Sequence, residues 1–202
     1  MRSEFINAIK SNQTAFGLKL SDEKVKRLAD YFDLVQEHNA LLHLVGPCPA
    51  EEFALRHILE SLTLLEHLPE NPQLVDVGAG AGLPSIPCLI VREDLRAILV
   101  DSKEKKTRFL ENAVRELDLA DRVKIVNRQF EEADPADSEY VTCRALDKFA
   151  QKLSRLLKWA GDRRLLLFGG GSLADALSRS NRKFETHLLP ISKQRFLFVV
   201  DK

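Results

Sequence analysis

The residues best suited to chemistry form a glycine-rich segment near the middle of the chain. Gly78, Gly80 and Gly82 follow Val75-Asp76-Val77 with the spacing G-x-G-x-G. Glycines at the end of a strand let the chain turn sharply and let backbone N–H groups approach a ligand. Dinucleotide enzymes use G-x-G-x-x-G, whereas Leu83 occupies the third glycine position here. The spacing therefore favours an adenosyl amino-acid ligand over a pyrophosphate, with a tight structural turn as the alternative.

A carboxylate stands at the corresponding place after the next apolar run. Asp101 lies 23 residues after Gly78, near the end of the run 96–102. A carboxylate there accepts hydrogen bonds from two adjacent ribose hydroxyls. Its alternative role is to cap the helix that follows, although Ser102 is also suited to that. The glycine segment and Asp101 together predict a site for a nucleoside-type cofactor.

A third candidate group follows the third apolar run. Phe130 offers a ring that can stack on adenine, and Glu131 can meet its exocyclic amine. The alternative is that Phe130 simply packs beneath the loop. We expect this pair to border the adenine.

The elements that must position these residues alternate in type from residue 73 onwards. Short, continuously apolar runs are typical of strands buried on both faces of a parallel sheet. They lie at 73–78, 96–102, 123–127, 140–145 and 164–169. Helical patterns separate them, including one expected to begin at the cap Ser102 and one near Asp147. Two further runs, 185–190 and 195–200, are too close for a crossover helix and should pair antiparallel.

Residues 1–70 have a different pattern, with three amphipathic helices and a cap at Ser21. The sequence therefore predicts one domain over 1–202, in which a helical N-terminal extension (1–70) precedes a cofactor-binding α/β core (71–202). The fold class expected is that of class I methyltransferases: a Rossmann-like, mainly parallel seven-stranded sheet closed by an antiparallel C-terminal hairpin.

Composition sets further limits. The chain has 202 residues, 45% hydrophobic and 30% charged, which is typical of a globular protein. Three scattered cysteines disfavour a disulfide framework or a zinc site, so no metal is expected. No apolar run approaches the ~20 residues of a membrane span, and no secretory signal pattern is present, so a cytoplasmic location is expected. Residues 144–195 carry twelve Lys/Arg against four Asp/Glu, which indicates either a polyanionic partner or solvated helix faces.

Five segments resemble, in order, signature segments of the RsmG family, also called glucose-inhibited division protein B. They are HNALLHLV (38–45), LRHILESLTLL (55–65), LVDVGAGAGLPSIPCLI (74–90), LVDSKEKKTRFLENAVREL (99–117) and VTCRAL (141–146). The resemblance implies a bacterial enzyme that transfers a methyl group from S-adenosyl-L-methionine to guanine N7 in 16S ribosomal RNA. The implied partner is 16S rRNA or the small ribosomal subunit, and the oligomeric state stays open.

The resemblance also assigns roles by position. It implies cofactor contacts for Gly78, Leu83, Phe130 and Glu131, and a place in the cofactor and catalytic pocket for Arg144. Arg144 is then expected either to bond guanine O6 or to orient the methionine carboxylate; a surface arginine at a strand end is the alternative.

The resemblance brings in the helix motif Arg56, His57 and Ser61 as well. These residues are expected either to line the substrate entrance or to fasten the extension to the sheet. The cations Lys103, Lys105, Lys106 and Arg108, with Arg163 and Arg164, are candidates for contacts with RNA phosphates.

Two departures from the family pattern leave other functions open. Residues 169–172 read Gly-Gly-Gly-Ser where the family usually has Lys-Gly, and the loop at Gln129-Phe130 is one residue longer. The alternatives are a cofactor-binding protein that docks on ribosomal particles without catalysis, and a methyltransferase of the same fold acting on a small molecule.

Overall fold

A computed structural model describes residues 1–144 and 149–201 of the chain. The N-terminal part is helical, as expected, and Ser21 is confirmed as a cap because its hydroxyl accepts a bond from Lys24 N at 3.3 Å. In chain order it contains α1 (Arg2–Asn12), a 3-10 turn (Gln13–Phe16), α2 (Asp22–Leu42), α3 (Ala50–Glu52), a π-helical segment (Phe53–Leu59), α4 (Glu60–Leu62) and a 3-10 segment (Thr63–His67). The last four are consecutive and replace the single α-helix expected there.

The rest of the chain forms a seven-stranded sheet flanked by helices. The strands are β1 (Gln73–Val77), β2 (Arg96–Val100), β3 (Val123–Val126), β4 (Tyr140–Arg144), β5 (Arg164–Gly169), β6 (Phe184–Leu188) and β7 (Phe196–Val200). Their order is β3-β2-β1-β4-β5-β7-β6. Strands β1 to β5 are parallel, and β7 pairs antiparallel with both β5 and β6. The predicted fold class and C-terminal hairpin are confirmed.

Four helices cover the sheet. They are α5 (Ser85–Val91), α6 (Glu104–Glu116), α7 (Phe149–Ala160) and α8 (Gly171–Ser178). Helix α6 has Lys103 rather than Ser102 as its N-cap, and no side chain caps it. The predicted helix start near Asp147 lies outside the described residues. A 3-10 turn, Phe130–Glu132, stands between β3 and β4 in place of a longer helix.

Alternate residues of the strands pack into two hydrophobic clusters on opposite faces of the sheet. Leu74 joins a cluster that also contains residues of α1, α2, α5 and α6, whereas Val75 joins one with residues of α7 and α8. Burial on both faces explains why the strands read as continuous apolar runs. Cys88 and Cys143 are fully buried, as expected of small core residues.

Neither a membrane-spanning helix nor a metal-binding cluster occurs among the described residues. No helix among them is long and apolar enough to cross a membrane. The same residues contain no group of three or more His, Cys, Asp or Glu side chains that could hold a metal ion.

Candidate functional site

The carboxyl ends of the five parallel strands meet at one edge of the sheet, as the sequence predicted. A cleft opens there around the ends of β1, β2 and β3. Its lining residues are Val77, Gly78, Val100, Asp101, Ser102, Lys103, Lys106, Arg128, Gln129, Phe130 and Lys152. Open α/β sheets bind ligands in a crevice at the carboxyl ends of the strands, where the strand order reverses. Here β2 and β3 lie on one side of β1, and β4 and β5 lie on the other.

The glycine segment forms the turn at the base of this cleft. Gly78, Gly80 and Gly82 all have positive φ, at 73°, 55° and 91°. A Cβ on Gly80 would lie 3.5 Å from Lys106 Nζ and 4.0 Å from Asp101 Oδ2. Gly82 and Leu83 are buried within the turn and do not line the cleft. The turn thus supplies both the sharp bend and the close approach that its spacing predicted.

Asp101 joins the glycine turn to α6. Its Oδ2 accepts a bond from Gly80 N at 2.9 Å and its Oδ1 accepts one from Lys103 N at 2.8 Å. Each carboxylate oxygen has a second lone pair, which leaves both able to accept a ligand hydroxyl. The bond from Lys103 N joins Asp101 to the N-cap residue of α6, although no side chain caps that helix.

The three cations of α6 that were grouped as RNA-binding candidates separate in the structure. Lys106 is half-buried and lines the cleft over Gly80. Lys105 is exposed outside that lining, and Arg108 is exposed and paired with Glu104 at 2.6 Å. Lys106 therefore belongs to the same cleft as Asp101.

Phe130 and Glu131, the two residues expected to border the adenine, lie in different surroundings. Phe130 lines the cleft and is only 5% exposed, with its ring edge-on to Trp159 at 5.7 Å between centroids. Glu131 instead pairs with Arg155, at 3.1 Å between Oε1 and Nη1. Phe130 thus combines the packing role with a face on the cleft.

Asp76 lies buried in β1, two residues before Gly78. Its Oδ2 accepts a bond from Ser85 Oγ at 2.6 Å, and its Oδ1 has no partner among the described residues. The pKa of Asp76 is raised to about 7, chiefly by burial; the Ser85 bonds oppose the rise, and the charge of Asp101 adds to it. The apolar pattern around Asp76 predicts only that it lies in a strand.

Arg144, at the end of β4, faces a second cavity. Its neighbours there are Glu60, Phe168, Gly169, Gly170, Leu189 and Arg195. The guanidinium pairs with Glu60 Oε2 at 3.2 Å and lies over the Phe168 ring, 5.4 Å from the centroid. The cavity and the Asp101 cleft share no lining residue. The guanidinium is therefore held by specific partners, unlike a surface arginine.

The motif of Arg56, His57 and Ser61 makes fastening contacts. Arg144 donates to Ser61 Oγ at 3.3 Å and to the Arg56 carbonyl, which ties the helical extension to β4. His57 is largely buried with an unpartnered Nδ1 among the described residues, and burial, with the charges of Arg144 and Arg56, lowers its pKa to about 3. The Arg56 side chain pairs with Glu52 and borders an outer groove.

Two of the cations suggested for RNA contact lie at the edge of the sheet away from the cleft. Arg163 and Arg164 come at the amino end of β5, opposite the cleft. Arg163 donates to the carbonyls of Ser138, Ala160 and Ala136, so it secures loops there. The two arginines therefore lie away from the cleft, and their contact with RNA phosphates stays a prediction.

Three residues of the site escaped the sequence analysis. Tyr31 of α2 donates from its hydroxyl to Ala81 O at 2.8 Å, beneath the glycine turn. Glu60 and Arg195 join Arg144 in the second cavity. Glu60 had one local signal, as the acid of the Arg-His-x-x-Glu-Ser motif, whereas Arg195 is 135 residues away from its partner.

Solved structures similar to this chain share its fold. One is a magnesium protoporphyrin IX methyltransferase from Synechocystis PCC 6803 with bound SAM, with a TM-score of 0.62 and 16% identity over 91% of this chain and 99% of that one. Another is an RNA methyltransferase from Salinibacter ruber in complex with S-adenosyl-L-homocysteine, with a TM-score of 0.57 and 18% identity over 77% and 94%. At these identities the likeness supports the class I methyltransferase fold alone.

Sequence relatives are much closer. Ribosomal RNA small subunit methyltransferase G of Neisseria meningitidis serogroup C / serotype 2a is 36% identical over 163 residues, which cover 81% of this chain and 75% of the relative. The protein of that name from Chromobacterium violaceum is 34% identical over 152 residues, or 74% and 72%. The family model described as rRNA small subunit methyltransferase G (GidB) matches residues 24–196. The resemblance drawn from five segments is thereby confirmed, and the chain belongs to the rRNA small subunit methyltransferase G family.

Proposed function

We propose that this protein transfers a methyl group from S-adenosyl-L-methionine to ribosomal RNA of the small subunit, with N7 of a 16S rRNA guanine as the acceptor. Family membership supports the rRNA substrate. The observation that carries the cofactor is the position of Asp101, which lines the cleft and accepts a bond from Gly80 N in the glycine turn.

The cleft suits this cofactor in two respects. Gly80 leaves open the space that a Cβ would fill between Lys106 and Asp101. Phe130 presents an apolar ring at the other end of the lining. Asp101 would hold the ribose hydroxyls, Phe130 would contact the adenine, and the turn at Gly78 would hold the amino-acid part. When bound, S-adenosylmethionine supplies an electrophilic methyl group, whose bonding pair returns to sulfur as the acceptor nitrogen attacks.

The residues of this chain then act by positioning. Guanine N7 has an exposed lone pair and carries no proton, so the transfer requires no general base. Holding donor and acceptor in line at ~3–3.5 Å accounts for most of the rate in such reactions. His57 fits this scheme as a neutral group, since its lowered pKa keeps it uncharged at neutral pH.

The test is transfer of tritiated methyl groups to unmethylated bacterial 30S subunits, followed by nucleoside analysis. We expect label in 7-methylguanosine, and its loss in Gly78→Asp, because a side chain at φ 73° strains the turn and fills the cleft. Gly46→Asp is the control, since a Cβ there meets nothing within 4 Å. Label in another nucleoside would contradict the N7 acceptor, and no label despite calorimetric cofactor binding would favour the non-catalytic alternative.

A further inference from the structure

A buried carboxylate links two arginines from distant parts of the chain. Glu60 is 1% exposed and lies in α4. Its Oε2 pairs with Arg144 Nη2 at 3.2 Å, and its Oε1 accepts from Arg195 Nε at 2.7 Å and pairs with Nη2 at 2.6 Å. A carboxylate shared by two guanidiniums in this way is compensated for its loss of solvent, and it fixes both planes.

The contacts of Arg144 leave part of its guanidinium for a ligand. Its Nη1 donates to Ser61 Oγ, and its Nη2 donates to Glu60 and to the Arg56 carbonyl. A guanidinium has five N–H donors, so the Nε donor and one Nη1 donor have no partner among the described residues. The group is thus immobilised by three contacts while two donors stay available.

The cavity in front of Arg144 has the character of a base-binding site. Its volume is about 250 Å³, with Phe168 and Leu189 as apolar walls and two guanidiniums beside them. A guanidinium donor can bond guanine O6, which leaves the N7 lone pair free to attack the methyl group. The cleft lined by Asp101, where the cofactor is proposed to bind, shares no lining residue with this cavity.

The turn before β7 lies close to Gly170, which follows β5. A Cβ on Gly170 would lie 3.3 Å from Gln194 O, so a larger residue would push the turn outwards. Arg195 follows Gln194 directly, and its backbone N–H bonds to Ser192 Oγ at 3.0 Å. Arg195 is the second cation of the cavity, beside Arg144.

We propose that Glu60 and Arg195 are positioning residues for methyl transfer: Glu60 fixes Arg144 on the acceptor side of the site, and Arg195 fixes Glu60. This inference rests on the proposed function. It assigns Arg144 to the acceptor rather than to the methionine carboxylate. Loss of either positioning residue then impairs use of the RNA and spares cofactor binding.

The test compares Glu60→Gln and Arg195→Met in two measurements. Cofactor affinity is measured by calorimetry, and methyl transfer is measured while the concentration of 30S subunits is varied at saturating cofactor. We expect kcat/KM for the subunits to fall ~10- to 100-fold, as for loss of a charged hydrogen bond. The cofactor Kd should stay within about twofold, because the cofactor cleft is separate.

Two controls separate positioning from folding. Lys193→Met removes an exposed cation from the same turn, and Asp94→Asn breaks the pair with Arg92, 2.9 Å long and away from both cavities. Both should transfer methyl groups like the wild type. The double variant of Glu60 and Arg195 should be no worse than Glu60→Gln alone, since both residues act through Arg144. Arg195 is the safer position, because its side chain is 35% exposed.

The outcomes are distinct. Unchanged transfer in both variants, or a matching loss of cofactor affinity, would overturn the positioning role while the wild type still proves active. A wild-type protein that methylates no RNA would overturn the proposed function, and the positioning role with it.

Discussion

At the scale of single residues, Asp76 links the acid-base behaviour of the protein to its cofactor turn. The carboxyl is fully buried, and its pKa is raised to about 7 chiefly by that burial. In the unfolded chain the pKa returns to about 3.8. Between these values the folded state holds a proton that the unfolded state releases, so Asp76 makes stability fall as pH rises.

This gives a prediction for Asp76→Asn. The free energy of unfolding of the wild type, minus that of the variant, should decrease between about pH 4 and 7 with a slope of up to ~1.4 kcal/mol per unit, and level off above. Urea titrations of both proteins at several pH values measure this difference. His57, with its pKa lowered to about 3, has the opposite slope below pH 6.5, but it is present in both proteins and cancels. A difference independent of pH would contradict the prediction.

The residues of the site that sequence could predict are those whose role is local. Gly78, Gly80 and Asp101 follow strand ends at recognisable spacing, and they do lie together at the cleft. Glu60 and Arg195 meet only through the tertiary fold, so no spacing in the sequence connects them. An ion pair across 135 residues leaves no periodic trace in the sequence.

At the scale of elements, α2 acts as a support for the glycine turn. Tyr31 is fully buried on that helix, and its hydroxyl donates to Ala81 O at 2.8 Å. Without this donor, a buried carbonyl in the turn loses its partner, which costs about 1–3 kcal/mol. The extension therefore supports the glycine turn through its second helix.

For Tyr31→Phe we expect a loss of ~1–3 kcal/mol in unfolding free energy and a severalfold weaker cofactor affinity, because the turn is less firmly held. Denaturant titration and calorimetry measure the two effects. Tyr140→Phe, which changes the only other tyrosine of the chain, serves as the control. If the two variants behaved alike, the support role of α2 would be refuted.

The elements themselves were largely predictable, because burial on both faces gives each central strand a continuous apolar run. All seven strands were found, for example β5 at Arg164–Gly169 as expected. The π-helical segment Phe53–Leu59 was not, since its apolar stripe reads like that of an α-helix. Ser102 is not the cap, because α6 begins one residue later, with Lys103 as its N-cap.

At the scale of the whole molecule, we propose that residues 1–202 form one domain. A single hydrophobic cluster contains Phe32 of α2, Leu74 of β1 and Leu110 of α6. Arg27 of α2 also donates to Leu117 O, after α6, at 2.8 Å. Because the extension shares its hydrophobic core with the sheet, it has no separate core and should not unfold independently.

The expected outcome is a single unfolding transition. Trp159, the only tryptophan, lies on α7 against the opposite face of the sheet from α1 and α2. Its fluorescence and the far-ultraviolet circular dichroism of the helices should therefore change at the same urea concentration. Loss of the helical signal before the fluorescence change would instead identify 1–70 as a separate unit.

The hydrogen bonds of Asp101 have a thermodynamic consequence for whatever enters the cleft. Asp101 already bonds to Gly80 N and Lys103 N through its carboxylate. Its carbonyl also accepts a bond from Asn127 Nδ2, in the loop after β3, at 3.0 Å. A receptor organised in advance spends little entropy on ordering itself when it binds. Affinity then depends mainly on the contacts that the ligand makes. Rigid adenosine analogues should therefore retain most of the binding enthalpy of the cofactor. The heat-capacity change on binding should reflect only the surface that the ligand buries.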